Sequence, residues 1–241
     1  MEAFIYTAMT GADYAQRALG VRANNLANAQ TNGFRADLAG AESVAATGHG
    51  FDSRHLANLA PTEVDHTPGH LAETGRALDV ALAGPGYLAV ETEEGPAYTR
   101  AGSLTLDGDG PLTLNGRPVL GGGGPIVLPE HDSATIGADG TISVLPRGES
   151  EIQAVGRLLL VNPEPSDLTK NRDGLLVSRS GTQYDADDTV TVKGGHLESS
   201  NVSAIEEMMQ TLSLTRAFEM QMRLYRAADE MADAGNRLIR G

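Results

Sequence analysis

Two stretches of this chain repeat with helical periodicity over more residues than a small globular core needs, and they lie at its two ends. Near the start, Ile5, Ala12, Leu19 and Leu26 recur every seven residues, with Ala8, Ala15 and Ala29 three positions on. That spacing makes a narrow seam along one helix face, of the kind two helices bury between them. Its side chains are small, so it suits a close helix-on-helix approach better than a bulky core. The pattern predicts a helix over residues 2–28, a rod of roughly 40 Å at the helical rise. Asn32-Gly33 is the expected stop, because glycine accepts the left-handed conformation that closes helices.

The second stretch opens at Ser203-Ala204-Ile205-Glu206, the pattern of a capping box in which the hydroxyl and the carboxylate satisfy orphan amides. A helix is expected from Ala204 to about residue 239, roughly 54 Å long. Its apolar stripe runs through Ile205, Met208, Leu212, Phe218, Met222, Tyr225 and Met231. Helices this long have to lean on something. The two are expected to pack together and to leave outward faces that only other chains can cover.

Between them the pattern changes. Residues 36–66 read as a partly extended connector around Gly48-His49-Gly50. From Leu78 to Lys193 short apolar runs alternate with turn dipeptides: Tyr87–Val90, Ser103–Leu106, Leu112–Leu114, Pro125–Leu128, Thr141–Leu145 and Gly156–Val161. Asp109-Gly110, Asn115-Gly116, Asp139-Gly140 and Asp173-Gly174 are pairs that accept positive φ in tight hairpins. The expected fold is therefore α+β. Its terminal helices form a coiled-coil-like inner layer around an inserted antiparallel β-rich domain, with boundaries at 1–35, 36–200 and 201–241.

Charge follows the same division. Residues 1–35 sum to +1 and residues 201–241 to −1, so the middle holds the whole net charge of −14, as 10 basic against 24 acidic side chains. Nearly neutral ends on an acidic body look like association surfaces carried by a solvated domain. The acidic balance argues against nucleic acid and anionic membrane partners, which require clustered Lys and Arg. No run reaches the length of a membrane span, and Met1-Glu2-Ala3-Phe4-Ile5 lacks the basic and apolar regions of a cleavable signal. On these rules alone the chain reads as cytoplasmic. Zero Cys removes disulfides, thiolate metal sites and Cys nucleophiles.

Chemistry-bearing patterns are weak. Asp107-Gly108-Asp109-Gly110 has the opening of a calcium loop but not its later ligands, so a hairpin turn is expected there. Gly121–Gly124 lacks the Lys-Ser/Thr of a phosphate cradle and reads as a loop. His66 and His70 are four apart, yet Pro68-Gly69 between them breaks the helix that would pair them on a metal. His49, His55, His131 and His196 are scattered. An enzyme built on Asp79, Asp107 or His131 has nothing to recommend it, and no cofactor or metal is expected.

Four blocks, taken together, resemble the bacterial flagellar rod and hook family of axial proteins. The signature loop Asn24-Asn25-Leu26-Ala27-Asn28 through Thr31-Asn32-Gly33-Phe34-Arg35 is the first. Gly69 to Leu82, Tyr98-Thr99-Arg100-Ala101-Gly102 and Leu197-Glu198-Ser199-Ser200-Asn201-Val202 follow in order. One departure is visible at Tyr87-Leu88, where the family usually has two aromatic residues. Ile5-Tyr6-Thr7-Ala8-Met9 and Arg216–Met222 resemble proximal-rod members more than distal-rod ones.

The resemblance implies a structural, non-enzymatic subunit that polymerises with copies of itself and related rod proteins into a hollow, torque-transmitting shaft. It implies passage through the flagellar type III export apparatus without a cleavable signal and residence in the periplasm, with peptidoglycan as a possible neighbour. The implied assembly interface is Ile5, Ala8, Ala12, Ala15, Leu19 and Leu26 with Ile205, Leu212, Phe218, Met222 and Tyr225. The alternatives are a distal-rod subunit, or an extracytoplasmic glycan- or ion-binding β domain on a helical oligomerisation stalk.

Overall fold

A computed structural model describes residues 2–45, 55–60, 62–108 and 110–240. The expected His49 connector loop and Asp109 of the Asp107–Gly110 turn lie outside them. The chain forms two compact units. One contains residues 1–29, 37–65 and 202–241; the other contains residues 30–36 and 66–201.

The first unit is built on two helices, α1 (Glu2–Ala27) and α2 (Ala204–Arg240). They pack antiparallel: Gly11 faces Gln221, while Arg22 and Asn25 both reach Glu207. Ala8, Ala15 and Ala18 are buried on the α1 face that carries Gly11 and Arg22. A Cβ added to Gly11 would stand 3.0 Å from the amide end of the Gln221 side chain, so the glycine leaves room for that side chain between the helices. The seven-residue line of Ile5, Ala12, Leu19 and Leu26 is only half-buried, beside this seam. Small residues on this face leave room for longer side chains of α2 such as Gln221.

At the start of α2 the Ser203 hydroxyl accepts the Glu206 amide at 3.4 Å, which is one half of the expected capping box. The stretch expected to be a partly extended connector is extended as paired strands. Residues 36–66 hold a hairpin, Ala41–Ala45 paired with His55–Leu59, and a short bridge of Asp37–Leu38 to Glu63–Val64. His55–Leu59 packs on α1, whereas Ala41–Ala45 is exposed at every position. No alternation marks a strand that buries neither face, so the sequence pattern had nothing to show.

The second unit is β-rich, and all its strand pairs are antiparallel among the described residues. A five-stranded sheet runs Leu160–Val161, Tyr87–Thr92, Gly95–Thr99, Leu176–Ser178, Leu168–Lys170. Three-stranded sheets join Leu104–Leu106, Leu112–Leu114 and Arg117–Pro118, and His131–Ile136, Thr141–Pro146 and Gln153–Arg157. Their apolar faces meet in one core around Leu88, Leu104, Leu112, Ile142, Leu158 and Leu160. Asn115 and Gly116 both take positive φ, 50° and 80°, in the two-residue turn between Leu114 and Arg117, as that dipeptide predicts. The Gly-rich run is likewise a hairpin, Leu120–Gly121 against Gly124–Pro125. The expected strand at Pro125–Leu128 is replaced by this turn and by isolated contacts, and the one at Gly156–Val161 is divided between two sheets.

Candidate functional site

The signature blocks fold into two buried polar clasps, one in each unit. In the helical unit, the fully buried Asn25 uses its side-chain amide as a strand uses its backbone. Its Oδ1 accepts the Asp37 amide at 2.9 Å and its Nδ2 donates to the Asp37 carbonyl at 2.9 Å. The same Nδ2 donates to Glu207 Oε1 at 3.1 Å, which also accepts Arg22 Nη1 at 3.1 Å. One amide thus ties the end of α1 to the first turn of α2 and to the base of the hairpin. Asn25→Ala is expected to cost about 1–3 kcal/mol by orphaning these buried groups. Asn25→Asp is expected to cost more, since a second carboxylate would then face Glu207; thermal unfolding checks the order.

The β-rich unit gathers the other blocks. Glu198 is 1% exposed, and its carboxylate accepts Arg35 Nη2 at 2.6 Å on Oε1 and Arg100 Nη1 at 3.1 Å on Oε2. The Gly69 amide also donates to Oε1 at 2.8 Å, and the Glu198 carbonyl accepts the Gly33 amide at 2.8 Å. Arg100 continues to the Gly84 carbonyl at 2.6 Å and lies 5.4 Å from the Tyr87 ring centre. Burial lowers the Arg100 pKa, opposed by Glu198, and raises that of the Tyr87 phenol, opposed by Arg100. Tyr87 in turn hydrogen-bonds His66 Nδ1 at 2.6 Å. Lys170 Nζ sits 4.0 Å over the Phe34 ring and donates to the Arg35 carbonyl at 2.6 Å. Asn201 Oδ1 accepts the Ala36 amide at 2.7 Å.

Glycines close this clasp by letting backbones touch. A Cβ on Gly69 would fall 2.0 Å from the Ser199 carbonyl oxygen, and one on Gly102 1.6 Å from that of Val80. Gly33, at φ +69°, would meet the Ala101 amide at 2.1 Å. Its role is this close approach. The expectation that it stops the helix is corrected: α1 ends at Ala27, and the Asn28 amide and Nδ2 both donate to the Asn24 carbonyl. Gly69→Ala is expected to destabilise the β-rich unit by about 1–3 kcal/mol through overpacking, measurable in urea.

The sequence-derived signature residues divide accordingly. Asn25 and Gly33 are buried; Leu26, Asn28 and Phe34 are half-buried; Asn24, Ala27 and Thr31 are exposed. Sequence reasoning missed Arg22 and Glu207, and it missed that Arg35, Arg100 and Glu198 meet. The available signal was the placement of each charged residue inside a block of small and apolar ones.

Of the interface residues, Ala8 and Ala15 are spent inside the chain. Ala12, Phe218 and Met222 are half-buried with Ile5, Leu19 and Leu26. Ile205 at 75% exposure, Leu212 at 60% and Tyr225 are exposed, the last on the same side of α2 as Glu207. Ile205, Met209, Leu212, Met220, Leu224, Met231 and Leu238 share one exposed face of α2, opposite the Glu207, Leu214 and Gln221 face. A soluble monomer rarely leaves so long an apolar line in water.

The candidate chemical residues do structural work. Asp79 is buried, accepting Thr74 Oγ1 at 2.7 Å and Arg76 Nη1 at 3.0 Å. Asp107 accepts the Gly108 amide in its turn, and His131 Nδ1 lies 2.8 Å from the Pro129 carbonyl. Among the described residues no three His, Asp or Glu side chains are grouped to hold a metal. No described helix is long and apolar enough to cross a membrane.

Comparison with known proteins accounts for the blocks. Residues 5–35 match the family Flagella basal body rod protein, residues 81–144 the Flagellar hook protein FlgE/F/G D1 domain, and residues 193–238 the Flagellar basal body rod FlgEFG protein C-terminal family. The flagellar basal-body rod protein FlgF of Escherichia coli K12 is 41% identical, over 99% of both chains. This chain belongs to the flagellar basal-body rod family. FlgF of Salmonella typhimurium LT2 is 40% identical over 99% of both chains, and FlgG of Bacillus subtilis 168 is 32% identical over 94% of this chain and 95% of its own. The higher identity to these F-type proteins makes it an F-type rod protein, a structural subunit. The clasps lie within the family's matched blocks: Asn25 and Arg35 in the first, Arg100 in the second, Glu198 and Glu207 in the third.

Proposed function

We propose that this rod protein is a proximal-rod subunit that docks onto neighbouring rod subunits, copies of itself and related chains, through the outward face of α2. The single observation that carries this is the apolar line from Ile205 to Leu238, exposed on a helix whose other face is already used. Repeated head-to-tail contacts build a helical tube unless they close into a ring. In this reading the helical ends form the inner layer of a hollow drive shaft, residues 36–200 form its outer domain, and the subunit turns over no substrate. Each Leu or Met removed from water contributes about 1.5–3 kcal/mol, so a few such side chains hold a subunit in place.

The reading includes export through the flagellar type III apparatus with an uncleaved N-terminus and residence in the periplasmic part of the basal body, near peptidoglycan. Purified basal bodies test it. Antibody against this chain is expected to label the rod, and mass spectrometry to recover rod-bound chain with its N-terminal residues intact. Absence from the rod, or a shortened N-terminus, overturns it.

A further inference from the structure

All seven methionines of this chain lie in the terminal segments, at positions 1, 9, 208, 209, 220, 222 and 231, and none falls between residues 10 and 207. The chain has no Cys and no Trp, so methionine is its one readily oxidised sulfur side chain. Met209, Met220 and Met231 are eleven residues apart, close to three full helical turns, which puts them in one line along α2. They are exposed, Met209 and Met220 at 61% each, whereas Met222 is half-buried.

We propose that this methionine line is a modification site, at which peroxide oxidation switches off docking of a neighbouring rod subunit's helix; the idea rests on the docking reading above. A lone pair on the exposed thioether sulfur attacks one oxygen of hydrogen peroxide. The O–O bond breaks, the oxygen stays on sulfur as the sulfoxide, and the other oxygen leaves as water after proton transfer. Sulfur loses two electrons and the peroxide gains them. The sulfoxide is polar, so a line that docks by leaving water then carries groups that resist leaving it. Sulfoxide reductases reverse the change, so the site can be reset. In an assembled rod the line is covered and the peroxide is kept out, which confines the effect to subunits not yet incorporated.

The test has a chemical and a cellular arm. The full-length chain is treated with hydrogen peroxide and the sulfoxides mapped by mass spectrometry; Met209, Met220 and Met231 are expected to oxidise several-fold faster than Met222, as exposure dictates. In cells, Met209→Gln/Met220→Gln/Met231→Gln places a polar amide where the sulfoxide would stand, on a good helix former, and circular dichroism verifies that the helix persists. It is expected to enter rods at least about tenfold less than wild type, since one tenfold step corresponds to no more than the burial of a single such side chain. The Leu triple variant keeps the line apolar but has no sulfur to oxidise, so its rod entry, whatever its level without peroxide, is expected not to fall under peroxide stress that depletes the wild type. Equal oxidation of Met222, or normal entry of a folded Gln triple variant, overturns the proposal. If Leu212→Asp is excluded while the Gln triple variant enters, only oxidative control falls; if Leu212→Asp also enters, the docking reading falls with it.

Discussion

Glu198→Gln is expected to cost the β-rich unit roughly 3–5 kcal/mol, a large fraction of the 5–15 kcal/mol that holds a typical domain. The reason is local. Two guanidinium groups, from Arg35 and Arg100, are buried with one carboxylate between them. An amide there accepts on one side only, and its NH2 faces either Arg100 or the paired donors of Arg35 and Gly69. Both cations are then buried without a counter-charge. Replacing all three together, Arg35→Met, Glu198→Leu and Arg100→Met, is expected to cost less than the single change, because no charge is left stranded. Urea titration of wild type, the single variant and the triple variant measures both. A Glu198→Gln protein within about 1 kcal/mol of wild type would show that the triad is not what closes the unit.

Leu212→Asp is expected to leave stability almost unchanged and to abolish incorporation into rods. Leu212 is 60% exposed, so the folded chain does not use it. In the docked state a carboxylate would enter an apolar contact without a partner. A penalty of about 3 kcal/mol is a conservative figure for that, and it lowers affinity about a hundredfold. The readouts are a thermal melt and the amount of chain in purified basal bodies. Substitution at Leu19 or Leu26 is a poorer probe, because both are half-buried within the chain and their loss confounds folding with docking.

What could be read beforehand follows from where the physics is local. The long helices, the Ser203 cap and the Asn115-Gly116 turn are set by residues within a few positions of one another, and they were legible. On α1 the pattern in the sequence includes Ala8 and Ala15, which are buried, but not Gly11 and Ala18, which lie on the same face. Ile5, Leu19 and Leu26 are the bulkier residues of that pattern and are only half-buried, whereas Ala8, Ala15 and Ala18 are buried and Gly11 makes room for Gln221. The hairpin of Ala41–Ala45 was invisible because its outer strand buries nothing. The clasps were invisible for another reason. Glu198 is 163 residues from Arg35 and 98 from Arg100, and nothing in any one segment says that a buried carboxylate waits for its cations elsewhere.

The central claim is that the outward face of α2 stays wet in one subunit and is dry in the rod. An electron cryomicroscopy map of basal bodies in which side chains are resolved tests it most directly. Ile205, Met209, Leu212 and Met220 are expected to lie within van der Waals contact of helices from adjacent subunits. A map in which those side chains face solvent, with subunits joined only through the β-rich unit, would contradict it.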